Sequence, residues 1–104
     1  MDLKTLKAAN DIRLYNTPAY TKCLDWTLAD WSNAIAGETG EMCNLIKKIR
    51  RGDEIDPKEV GKELADIIIY ADILASLLGL DLSDCVIQKF NEVSDRVGSE
   101  VKIS

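Results

Sequence analysis

Two pairs of carboxylates carry the spacing most suited to chemistry. Glu38 and Glu41 stand three residues apart in Gly37-Glu38-Thr39-Gly40-Glu41, and Glu63 and Asp66 stand three apart in Lys62-Glu63-Leu64-Ala65-Asp66. On an α-helix, such residues lie about 60° apart around the axis and about 4.5 Å apart along it. Each pair therefore projects to one side of its helix, and two such helices packed antiparallel bring four carboxylates together. Crowded carboxylates repel one another, and without a counter-ion they cost stability or take up protons. A hard divalent cation removes the conflict, and all-oxygen ligation suits Mg²⁺ or Mn²⁺. Mg²⁺ retains several waters and binds phosphate readily, which makes a nucleotide a natural ligand.

A single ExxE or ExxD is common on solvated helix faces. On that reading, Glu41 pairs with Lys48 or Glu63 with Lys62. Gly37 and Gly40 sharpen the choice, because glycine in a helix interior costs about 1 kcal/mol relative to alanine. Two within four residues imply close approach of a second helix or of a ligand.

The elements that must position these acids are helices. Leu3, Leu6, Ile12 and Leu14 predict a short first helix, stopped before Pro18. A second helix is predicted from the Asp25–Leu28 region to Arg50 or Arg51. Leu28, Trp31, Ile35, Met42, Leu45 and Ile49 form its apolar stripe, and Lys47, Lys48, Arg50 and Arg51 favour its C-terminal dipole. The third begins at an Asp56 cap with Pro57 in the first turn and Glu59 three residues after the cap, and Gly79 suits its end. Asp81 or Ser83 caps a fourth reaching Val97, with Val86, Phe90, Val93 and Val97 as its stripe. The tail after Gly98 is expected to be loosely ordered or to dock on a partner. No segment reads as a strand. The expected fold is all-α, a four- to five-helix bundle forming one domain over residues 1–104.

Composition bounds the chemistry. The 104 residues carry a net charge of −5, so a nucleic-acid polymer is a poor partner. A small phosphorylated ligand remains compatible, because a bound cation reverses the local sign. There is no histidine, which removes Ser-His-Asp and Cys-His catalysis and His-ligated zinc. Cys23, Cys43 and Cys85 fit neither a CxxC nor a zinc module and are expected to be free thiols in a reducing cytoplasm. The N-terminus lacks a signal-peptide pattern, and the Ile67–Ile69 run is too short to span a membrane.

From Trp31 to Arg96 the chain resembles the MazG-like branch of the all-α nucleoside triphosphate pyrophosphohydrolases. The resemblance is carried by the Gly-Glu-Thr-Gly-Glu block followed by Asn44, Lys47 and Lys48. It continues through the Lys-Glu-Leu-Ala-Asp-Ile block, Tyr70, and Leu78-Gly79-Leu80-Asp81-Leu82 leading to Lys89 and Arg96. It implies a MazG-like bundle that assembles as a homodimer or a dimer-based homotetramer, with sites near subunit interfaces. It further implies Mg²⁺-dependent cleavage of a nucleoside triphosphate into monophosphate and pyrophosphate, a nucleotide-pool house-cleaning activity. The metal set falls on Glu38, Glu41, Glu63 and Asp66. Glu38 or Glu41 is expected to orient or deprotonate the attacking water. Lys48 is the first phosphate contact expected and Lys47 the second, with Lys89 and Arg96 on the fourth helix for phosphate or inter-subunit contact. Trp31, Asn44, Tyr70 and Asn91 are expected around the base and sugar, Trp31 by stacking; core or dimer packing is the competing reading for Trp31, and core closure for Tyr70. The competing readings are a nucleotide- or metal-binding module without catalysis, and a helical interaction protein whose acidic face docks a basic partner.

Overall fold

The computed structural model describes all 104 residues, and it is entirely helical. Helix α1 spans Leu3–Asn16, a 3₁₀ segment spans Pro18–Asp25, α2 spans Leu28–Arg50, α3 spans Pro57–Leu77 and α4 spans Leu82–Val97. Each start has a local chemical cause. Asp2 accepts from the Thr5 N–H at 2.8 Å, and Asp81 accepts from the Asp84 N–H at 3.3 Å. Thr27 and Asp30 form a reciprocal capping box on α2. Asp56 accepts from the Lys58 N–H at 2.9 Å with Pro57 behind it. Glu59, placed where a capping-box partner would be, pairs with Lys62 instead. The ends of α3 and α4 are set by Gly79 (φ 74°) and Gly98 (φ 76°), which take the left-handed conformation that side chains resist.

The 3₁₀ segment is an element that the 3.6-residue spacing does not reveal, since its i→i+3 bonds obey another period. It delivers Cys23 and Tyr20 to the core. Leu14 from α1, Cys23, Trp31 from α2 and Ile73 from α3 are buried together, with Tyr20, Trp26, Ile69, Tyr70 and Leu74 packed around them. Beside this core, the Asn10 amide donates to Asp72 Oδ2 at 2.9 Å and to the Ile69 carbonyl at 3.3 Å. That link ties α1 to α3 through a carboxylate only 1% exposed.

The six-residue connection after Arg50 folds α3 back along α2, and these two make the most extensive helix pair. Helix α4 stands apart from the core. It meets α1 and α3 but not α2, helped by Lys4 reaching Asp81 at 3.1 Å and Asp84 at 3.5 Å. The tail is not loose. Asn91 both donates to and accepts from the backbone of Ile103 at 2.9 Å, Lys102 pairs with Asp95, and the Ser99 N–H reaches the Ser94 carbonyl at 2.8 Å. The chain's own fourth helix therefore holds the tail. No helix is long and apolar enough to cross a membrane.

Candidate functional site

The α2–α3 pair brings carboxylates from both helices to one place. One oxygen each of Glu38, Glu41 and Glu63 lies within 4.8 Å of the others. Asp66 lies outside this tightest group, yet its charge still acts on Glu38. The electrostatic consequence falls on Glu38, whose carboxyl is pushed up to about 7. The largest cause is a hydrogen bond shared with Glu63, followed by burial and then the charges of Glu41, Asp66 and Glu63. Without a cation, the cluster relieves its repulsion by holding a proton there.

The four acids lack the partners that a solvated face would supply. None forms an ion pair, and Lys62 turns to Glu59 rather than to Glu63. With the Glu38 and Glu63 carboxylates both ionised, Glu63 Oε2 is buried with no hydrogen-bond partner. A buried carboxylate oxygen left unpaired is costly, and a divalent cation would satisfy it. The donor set, all carboxylate oxygen, matches Mg²⁺ or Mn²⁺.

Gly37 and Gly40 have open space beside them: a Cβ built on either meets nothing within 4 Å. Packing against another helix of the same chain is therefore not their reason. The surface beside the acids is left bare, and two helix-weakening residues keep it so.

The residues expected around a ligand divide into two groups. Asn44 and Lys47 are exposed and Lys48 is half-buried on α2, after the acids, and neither lysine makes an ion pair. Tyr70 is near enough to the cluster that the charges of Glu38 and Asp66 add to burial, the larger cause, in raising its hydroxyl pKa. By contrast, Lys89, Asn91 and Arg96 stand on α4, which does not touch α2. Lys89 pairs with Glu92 at 3.3 Å, and both ends of the Asn91 amide are taken by Ile103.

The structure favours core packing over stacking on a base for Trp31. It is 1% exposed and packs with Trp26 at 4.6 Å and Tyr70 at 6.1 Å between ring centroids. A ring so enclosed cannot offer a face to a base. Its spacing from Glu38 is that of the same helical face, but that face turns into the core two turns before it reaches the acids. Its work is packing.

Two residues near the acids escaped the sequence reading. Arg13 of α1 lies over the Tyr20 ring, 5.6 Å from its centroid, and both border a small cavity with Asp66 and Tyr70. No local spacing links Arg13 to the acid pairs, because only the docking of α1 on α3 brings them together. The three cysteines are free, with Cys23 buried and Cys43 exposed. Comparison of the chain with protein-family models, curated proteins and solved structures yields no match.

Proposed function

We propose that the chain is a Mg²⁺-dependent nucleoside triphosphate pyrophosphohydrolase of the MazG-like kind, acting as a homo-oligomer. The observation that carries this reading is the convergence of Glu38, Glu41 and Glu63 without any protein cation to balance them. Glu38, Glu41, Glu63 and Asp66 would hold the cation. When bound, it neutralises phosphate oxygens and stabilises the charge that builds in an in-line displacement.

The remaining work falls to the chain. Glu38 or Glu41 orients the attacking water and accepts its proton as the oxygen adds to phosphorus. The anhydride bond breaks, and pyrophosphate leaves with the bonding electrons. Lys48, and after it Lys47, both free of acid partners, are the proposed contacts to the leaving phosphates. Gly37 and Gly40 keep side chains away from the approach. Tyr70 and Asn44 border the cluster where sugar or base would lie.

Lys89 and Arg96 fit this reading through assembly rather than within one chain. A second copy would have to bring α4 to the acids, and the exposed apolar stripe of α4 supports such contact. Phe90, Val86, Val97 and Val101 are all exposed, and they line a groove beside Lys89. The same surface would serve a helical interaction protein without catalysis, which predicts no metal dependence.

The test is release of pyrophosphate from a panel of common and modified triphosphates, with and without Mg²⁺. The account expects monophosphate and pyrophosphate in equal amounts only with the metal, and loss of turnover in Glu38→Gln and Asp66→Asn. Nucleotide binding with no turnover of any triphosphate would point to a binding module instead.

A further inference from the structure

The cavity between α1, the 3₁₀ segment and α3 has a volume of about 190 Å³ and is walled by Arg13, Tyr20, Asp66, Ile69, Tyr70 and Ile73. Opposite charges face the same space without meeting, since Arg13 makes no ion pair with Asp66 or with any other acid. No protein acceptor takes any donor of the Arg13 side chain, which is held instead against the Tyr20 ring. The hydroxyls of Tyr20 and Tyr70 are equally without partners in the hydrogen-bond network. A guanidinium lying over an aromatic ring is attracted to it without using its N–H donors, which stay free. Its donor fork matches two oxygens of a phosphate.

From this arrangement we propose that Arg13, braced by Tyr20, forms the subsite for a phosphoryl group of the ligand whose cation is held by Glu38, Glu41, Glu63 and Asp66. The inference rests on the hydrolase reading for the identity of the ligand, but its chemistry is narrower. Asp66 belongs both to the acid set and to the cavity wall. A polyphosphate whose cation was held by these acids would find the Arg13 guanidinium bordering the same cavity as Asp66. The enclosed Trp31 offers no competing surface, and the α4 cations are distant within the chain. Arg13 is thus the cation that a single subunit supplies on the α1 side of the acids.

The experiment compares wild type with Arg13→Gln and Arg13→Lys. It measures calorimetric binding of inorganic tripolyphosphate in Mn²⁺ and steady-state pyrophosphate release from triphosphates in Mg²⁺. Arg13 is exposed, so both variants should melt as wild type does in the absence of ligand. They should also keep the full metal-induced rise in midpoint. Arg13→Gln is expected to weaken tripolyphosphate binding and to lower kcat/KM by about 10- to 100-fold, with Arg13→Lys in between.

Equal tripolyphosphate affinity in all three proteins would overturn the subsite, whatever happens to turnover. Weakened nucleotide use with unchanged tripolyphosphate binding would also overturn it, and would move Arg13 to the base or sugar. Arg13-dependent tripolyphosphate binding with no hydrolysis of any triphosphate would uphold the subsite while removing the hydrolase reading. A wild type that binds no tripolyphosphate and hydrolyses nothing removes both.

Discussion

Glu38 concentrates the physics of the site in one side chain. Its carboxyl holds a proton up to about 7 when folded, against an ordinary 4.5. The folded state therefore binds more protons than the unfolded chain between those values. Stability is greatest below the unfolded value and falls as pH rises through the folded one. Metal-free protein should accordingly show a midpoint that declines from about pH 5 to about pH 8. Glu38→Gln should flatten that decline, because a neutral amide has no charge to lose. Thermal melts across this range check both expectations, and saturating Mg²⁺ should abolish the decline in wild type by replacing the proton. The same substitution should reduce turnover by at least about 100-fold, since loss of even an outer-shell partner of a metal ligand typically costs 10- to 100-fold.

At the scale of the elements, α2 carries a destabilising feature that the isolated chain does not need. With nothing within 4 Å of a Cβ at either position, Gly37→Ala and Gly40→Ala should each stabilise the metal-free protein by up to about 1 kcal/mol. For a domain of this size, that is a rise of about 4–8 °C. If the bare surface admits ligand, the same alanines lower kcat/KM, and stability and activity move in opposite directions. Unchanged activity would leave the glycines without a role at the site.

The helices themselves were legible because their punctuation is local. Asp56-Pro57, Gly79, Asp81 and Gly98 act through bonds to near neighbours, and the helical spacing of the stripes survives in the structure. What escaped is what local spacing cannot encode. The 3₁₀ segment has another period, and the Asn10–Asp72 bond joins residues 62 apart in sequence. Arg13 reaches the neighbourhood of Asp66 only through the docking of α1. The two readings of Trp31, stacking or core packing, stayed open for a related reason, since sharing a face with Glu38 does not say where along that face the core ends.

Over the whole molecule, apolar surface exceeds what the chain can cover. Only 8 of 104 residues are buried, and the radius of gyration is 16.3 Å where about 13 Å is usual for this length. Leu64 and Ile68 on α3 and Phe90 and Val97 on α4 lie open. Association of copies would bury them. Light scattering should give a mass of twice or four times 11.5 kDa. Phe90→Asp should shift it toward the single-chain value while changing the fold little, as exposed substitutions generally do. A wild-type mass of one chain would contradict the assembly.

The claim beneath all of this is that the acids of α2 and α3 exchange a shared proton for a divalent cation. Calorimetric titration of the metal-free protein with Mn²⁺ near pH 6.5, in two buffers of different ionisation enthalpy, tests it directly. The account predicts saturable binding whose heat differs between buffers, because the proton held on Glu38 is expelled, and loss of that binding in Glu38→Gln. An absence of saturable binding, or binding untouched by that substitution, would contradict it.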